Sequence, residues 1–275
     1  MRAKSLSTES PSVSKPTTLP SGGLAAAPEA QNEVTDRAVI GGAVGDPLNR
    51  DDFFGVDSMT SVRQLLEARV HLGHKTGTWD PRMKPYLFGS RAGVHIIDLD
   101  KTLPHLRRAL NVAGHVALRN GIILFVSERS QFERLVQKSA RDSGEYFVTQ
   151  QWVGGTLTNS QMLLRTVRLP DLMIFLSVPP SKTAIKEAAM CNIPSIGVVD
   201  SDCNPNLITY PIPGNDDTPA AMSLYCSLFS EVISRAKATR ESRERREREE
   251  GQYKEGGREQ SEKDELASEH SIASQ

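Results

Sequence analysis

Gly121-Ile122-Ile123-Leu124-Phe125-Val126-Ser127 holds five apolar residues in an unbroken run, closed at each end by a small residue. A strand with one wet face alternates apolar and polar side chains. An unbroken run of this length reads as a strand covered on both faces. Its flanks support that reading. Upstream, Leu103, Leu106, Leu110, Ala113 and Ala117 recur at helical spacing, with Pro104 tolerated in the first turn and Gly121 closing the end. Downstream, Ser130 and Glu133 have capping-box spacing and open a helix that ends by Gly144. The alternation continues. Strands are expected at 94–99, 146–150, 172–178, 194–199 and 208–212, and helices at 156–168 and 182–191. A last helix is capped by Thr218, has Pro219 at its first position, and buries Leu224, Leu228, Val232 and Ile233. Apolar strands alternating with helices predict an α/β fold of three layers, a mostly parallel sheet between two helical faces.

Ahead of this domain, Ser61 and Gln64 open a short helix whose apolar face (Val62, Leu65, Leu66, Val70) ends near Gly73. Then comes Arg69-Val70-His71-Leu72-Gly73-His74-Lys75-Thr76-Gly77-Thr78-Trp79-Asp80-Pro81-Arg82-Met83-Lys84-Pro85-Tyr86-Leu87-Phe88-Gly89. Glycine and proline punctuate it too often for a helix or strand. Cations alternate with rings: Lys75, Arg82 and Lys84 beside Trp79, Tyr86 and Phe88. Cations neutralise phosphates and rings stack on bases, which makes this a candidate RNA-contacting loop. The other reading is a solvated loop docked on the domain.

The spelling of the loop resembles the signature of the small-ribosomal-subunit protein two family, in its bacterial and organellar branch. Further motifs follow in that family's order: Ile96-Ile97-Asp98-Leu99, Gly154-Gly155-Thr156-Leu157-Thr158-Asn159, Leu169-Pro170-Asp171, Asn192-Ile193-Pro194 and Pro211-Ile212-Pro213-Gly214-Asn215-Asp216-Asp217. The resemblance implies a flavodoxin-like sheet of five parallel strands. It also implies a structural role on small-subunit rRNA and neighbouring ribosomal proteins, with no catalysis, cofactor, membrane or small-molecule substrate. Carried over residue by residue, the rRNA contacts are His74, Lys75, Trp79, Arg82, Lys84, Tyr86 and Arg91; Trp79 and Tyr86 read equally well as clamps wedged into the domain. Bacterial members carry a long charged helical hairpin between the glycine-rich motif and Leu-Pro-Asp. Here Asn159 and Asp171 are twelve positions apart, so the hairpin is missing. Its absence, with long tails, resembles the animal mitochondrial branch and implies the mitochondrial matrix.

Charge is unevenly spread. Residues 1–59 carry 5 Lys/Arg and 8 Asp/Glu, residues 60–235 carry 19 and 15, and residues 236–275 carry 9 and 11. The middle excess is supplied by Arg63, Arg69, Lys75, Arg82, Lys84 and Arg91 against Glu67 and Asp80. That predicts a local nucleic-acid footprint rather than a coat. Residues 1–57 are rich in Ser, Pro, Gly and Ala and are expected to be disordered or draped. Arg2, Lys4 and Lys15 with many hydroxyls resemble an organellar targeting segment, although prolines 11, 16 and 20 interrupt any helix there. Asp51-Asp52-Phe53-Phe54 reads as a small docking element. The domain proper is expected over 58–235, and the Arg/Glu-rich tail from 236 as a solvated, fraying helix. Cys191, Cys203 and Cys226 fit no zinc spacing and are expected as thiols. No apolar run approaches the roughly 18 residues of a membrane span.

A soluble nucleotide-binding enzyme on this fold needs a glycine-rich turn after a strand. Leu99-Asp100-Lys101-Thr102 and Ser127-Glu128-Arg129-Ser130 have none, and there is no nucleophile-elbow serine. The alternative of an extraribosomal scaffold stays open at this stage. Gly154, Gly155, Thr156 and Asn159 form either a phosphate or partner contact at a helix start, or a plain strand-to-helix turn capped by Thr156. His71, His74 and His95 lack the spacing of a metal set, and the stretches 200–205 and 213–217 that carry Asp200, Asp202, Asp216 and Asp217 read as Asx-type turns and a helix start, so no metal is expected.

Overall fold

The computed structural model describes residues 52–163 and 168–272, with side chains to Glu249 except that of Leu163. The expectations for residues 1–51 lie outside the described residues. The chain runs through helices α1 (Val56–Met59) and α2 (Val62–Glu67), strand β1 (Leu72–Lys75), a 3-10 helix (Pro81–Tyr86), and strands β2 (Leu87–Arg91) and β3 (Val94–Ile97). Helix α3 (Leu99–Leu118) leads into β4 (Ile123–Val126), α4 (Glu133–Ser143), β5 (Tyr146–Val148) and α5 (Ser160–Leu163). Then come β6 (Leu172–Phe175), α6 (Lys182–Met190), β7 (Ser195–Val199), β8 (Tyr210–Pro213) and α7 (Pro219–Ile272).

Five strands form one parallel sheet in the order β5-β4-β6-β7-β8. This is the flavodoxin-like order expected, with its switch point between β4 and β6. Alternation along β6 shows why its run is unbroken. Leu172 and Ile174 enter a core under α3, α4 and α7, with Leu106, Leu110, Val136, Tyr225, Phe229 and Val232. Met173 and Phe175 enter a second core under α6, with Ala184, Ile185, Ala188, Trp152 and Met83. Successive side chains point to opposite faces, and both faces are dry.

One expected main-sheet strand lies elsewhere. Residues 94–97 are the centre of a separate three-stranded antiparallel sheet, β1-β3-β2. Val94, His95 and Ile96 are only half-buried, so β3 never had the doubly covered environment of β4 or β6. Local signals differ too. The Ser61–Gln64 capping box forms, but α2 stops at Glu67 and leaves Leu66 exposed. The Ser130–Glu133 box does not form: a 3-10 turn over Ser130–Phe132 intervenes and α4 begins without a side-chain cap. Pro104 falls in the second turn of α3, because the cap is Asp98. Asn120 (φ 58°), not Gly121, takes the left-handed position, while the amide of Gly121 reaches back to Val116 O.

At the edges, Phe54 is buried and its ring lies over Gly114 of α3, where a Cβ would stand 2.7 Å from two ring carbons. Helix α7 runs unbroken through the boundary expected at 235/236. Ala236 is buried, and Lys237 and Arg240 bond to groups at the ends of α4 and α3. Among the described residues no helix is long and apolar enough to cross a membrane.

Candidate nucleic-acid interface

The stretch expected to be an irregular loop is largely regular. β1 and β2 flank β3, and β2 turns into β3 through Ala92 (φ 54°) and Gly93 (φ 76°). Two consecutive left-handed residues are what a tight two-residue hairpin demands. The punctuation is used rather than fatal. Gly89 follows a shift in the β2–β3 register, and Pro81 starts the 3-10 helix behind Asp80, whose side chain accepts from Arg82 N.

Two clasps hold this subdomain to the C-terminal ends of the parallel strands. Buried Ser201, just after β7, accepts from His74 N at 2.8 Å through Oγ and from Asp80 N at 2.8 Å through its carbonyl. Its Oγ lies 2.9 Å from where a Cβ of Gly73 would sit, so only glycine permits the approach. Asn215 is the second clasp. Its amide nitrogens donate to Val70 O and Arg69 O, while its Oδ1 accepts from Asp217 N and Thr218 N. The Asx turns expected over 200–205 and 213–217 form at Asn204 and Asn215.

The site residues divide in two. Lys75, Arg82, Lys84 and Arg91 are exposed, and none has an ion-pair partner among the described residues. Other cations are consumed internally, such as Arg107 on Asp57, Lys237 on Glu145 and Arg129 on Asp216 and Asp217. The rings are half-buried: Trp79 lies 5.2 Å from the His95 ring and Tyr86 packs edge-on against His105 at 5.4 Å. Phe88, the third ring of the loop, is 79% exposed beside them.

His74 departs from its expected role. It points into the strand ends, with Nδ1 3.1 Å from Asp200 Oδ2 and Nε2 3.1 Å from Asp217 Oδ2 and 4.0 Å from Asp202 Oδ2. These carboxylates, Asp200 above all, raise its pKa to about 9. A side chain ringed by anions does not present itself to a phosphate. Buried Asp216 completes the group: it takes Ser177 and Arg129 on Oδ2, while burial pushes its pKa up to about 6. Through Asp216, which takes Arg129 after β4 and Ser177 after β6, the acids reach the switch point at which flavodoxin-like folds hold nucleotides. A pyrophosphate there would face the carboxylates of Asp216 and Asp217.

The glycine-rich turn also has an unexpected occupant. Its amides do converge on an anion, but the anion is Glu187 of α6. The buried carboxylate accepts from Gly155 N at 2.6 Å and Leu157 N at 3.1 Å. Thr156 caps nothing; its hydroxyl donates to Val153 O, and Asn159 N donates to Gly155 O before the described helix starts at Ser160. The N–H groups of Gly155, Thr156, Leu157 and Asn159 are thus answered within the chain.

Comparison with known proteins bears on the whole arrangement. The pattern of the family described as Ribosomal protein S2 matches residues 65–168 and 163–236. A bovine protein, "Small ribosomal subunit protein uS2m", is 49% identical over 239 residues, which is 85% of this chain and 80% of the bovine one. "Small ribosomal subunit protein uS2" of Rhizobium etli is 38% identical over 219 residues, covering 64% and 84%. That of Erythrobacter litoralis is 34% identical over 218 residues, covering 64% and 89%. With the five-stranded order, the clasped loop and these matches together, the chain belongs to the ribosomal protein S2 family, in its mitochondrial branch.

Proposed function

We propose that the protein is a structural component of the mitochondrial small ribosomal subunit in the matrix, seated on small-subunit rRNA and neighbouring ribosomal proteins, with no catalytic role. The observation that supports this is the set of four exposed cations, Lys75, Arg82, Lys84 and Arg91, left without acidic partners on a small sheet clasped to a rigid core. Unpaired cations on an ordered surface suit phosphate contact, because little side-chain or backbone ordering remains to be done on binding. Trp79 and Tyr86 hold the loop by packing, and exposed Phe88 offers the ring available for stacking.

The test is the triple variant Lys75→Ala, Arg82→Ala, Lys84→Ala, expressed in mitochondria and followed across a sucrose gradient. Its circular dichroism should match that of the parent, its co-migration with small-subunit rRNA should fall, and nuclease should release the parent protein from that peak. Binding of the purified protein to the rRNA should lose about two to three units of slope in log K against log salt, on the order of 0.7–0.9 per phosphate contact removed. Undiminished incorporation of the triple variant would overturn the assignment.

A further inference from the structure

We propose that the outer face of α4 is a second contact for the RNA backbone, at the edge of the parallel sheet opposite the clasped loop. This second contact rests on the ribosomal reading above and adds to it a surface on a different element.

Four residues of α4 are exposed: Arg134, Lys138, Arg141 and Asp142. The three cations stand at i, i+4 and i+7, so they form one stripe, opposite the buried Val136, Ser139, Ala140 and Ser143. None of the three has an ion-pair partner among the described residues. The acids near them are held elsewhere. Glu133 accepts from Gln137 Nε2 at 2.9 Å, and Glu145 pairs with Lys237 at 2.7 Å. The guanidinium of Arg141 lies over the Phe147 ring, 5.7 Å from its centroid, which steadies it at the edge strand β5.

A solvated helix face ordinarily mixes signs, because opposite charges at i and i+4 stabilise a helix and like charges destabilise it. Here Arg134 and Lys138 are a like pair at i, i+4, and Lys138 and Arg141 a like pair at i, i+3. A glutamate at 138 would turn both repulsions into attractions. The helix is therefore charged against its own stability, and a polyanion laid along the stripe would offset that repulsion.

Two features favour RNA over an acidic protein. Among the described residues of α4 no large apolar side chain is exposed. Protein interfaces draw their stability from apolar and aromatic anchors at the centre of the patch, whereas phosphates need only cations. The stripe also lies apart from the loop. Helix α4 links β4 to β5, the edge strand, while the loop is clasped after β7 and β8. Three to four strand spacings separate them, roughly 15–19 Å. Two cationic faces on opposite edges of one rigid sheet let a single chain hold two stretches of RNA backbone.

The test uses the full chain and small-subunit rRNA in filter-binding titrations over a range of salt. The triple variant Arg134→Gln, Lys138→Gln, Arg141→Gln should bind about fivefold or more weakly and lose about two units of slope in log K against log salt, on the order of 0.7–0.9 per phosphate contact. Its melting temperature should stay level or rise, since like-charge repulsion is removed. A matched variant, Arg108→Gln, Lys182→Gln, Lys186→Gln, removes as much charge from exposed positions on α3 and α6 and should bind almost as the parent does. Equal losses in the two variants would show that net charge alone is read, and unchanged rRNA binding by the α4 variant would remove the contact; either result overturns the proposal. So would an α4 variant that binds rRNA normally yet leaves the small-subunit peak of the gradient, the mark of an acidic protein on this face. The variant Lys75→Ala, Arg82→Ala, Lys84→Ala separates the two claims. Weakened binding there beside an unchanged α4 variant sinks only the second contact, and unchanged binding in both sinks the ribosomal reading with it.

Discussion

Replacing Glu187 tests how the glycine-rich turn is held. The carboxylate is buried on α6 and accepts from Gly155 N at 2.6 Å and Leu157 N at 3.1 Å. Hydrogen bonds to a charged group contribute about 1.5–3 kcal/mol each, so two represent about 3–6 kcal/mol before the cost of burying the carboxylate is subtracted. Glu187→Ala removes both acceptors and leaves two amides facing a small cavity; the expected loss is about 3 kcal/mol. Glu187→Gln keeps one acceptor oxygen and should lose about half as much. Urea unfolding followed by far-UV circular dichroism reads both, with an unchanged m-value indicating that only stability has moved. Formate should restore part of the loss in the alanine variant and do nothing for the parent, because it can refill the same pair of donors. A loss below about 1 kcal/mol for Glu187→Ala would refute the reasoning, since it would mean the two amides do not need an anion.

Gly114→Ala should destabilise by about 1–2 kcal/mol although alanine is the better helix former, because its Cβ would meet the Phe54 ring; in a Phe54→Ala background the same change should become stabilising. Ending the chain at Ala236 should cost about 3–5 kcal/mol, because Lys237 Nζ binds Glu145, Ser143 O and Gly144 O and its loss strands a buried carboxylate; ending it at Glu249 should be nearly neutral in urea unfolding. His71 and His105 are both held below the ordinary histidine value, chiefly by burial and then by Arg69 and Arg108 respectively, so the unfolded chain takes up those protons first. Stability should therefore fall as pH drops through about 6.5, and the double variant His71→Gln, His105→Gln should flatten that limb in melts recorded from neutral to acid pH.

The family's ordered motifs turn out to be joints. Asp98 caps α3, Asp171 accepts from Ile122 N at 2.7 Å to set the edge of β4 against β6, Asn192 (φ 55°) ends α6, and Asn215 latches the turn at Arg69. Each was legible as a motif, yet none revealed what it fastened. The capping box at Ser130 is the opposite case, a local pattern that tertiary packing set aside for a 3-10 turn.

The sequence alone determined the doubly covered sheet, because burial on both faces forces unbroken apolar runs such as 122–126 and burial by helices forces the spacing between them. It also determined the free cations of the loop, since Lys75, Arg82, Lys84 and Arg91 have few acids within reach along the chain. Only the tertiary structure decided where the anions went. Glu187 reached the glycine turn 32 positions away, and a strand of the small sheet was clasped at Ser201, 127 positions from His74, which placed the imidazole among four carboxylates. Sequence spacing carries no signal for such meetings, because parallel strands bring their C-terminal ends together only after each crossover has closed.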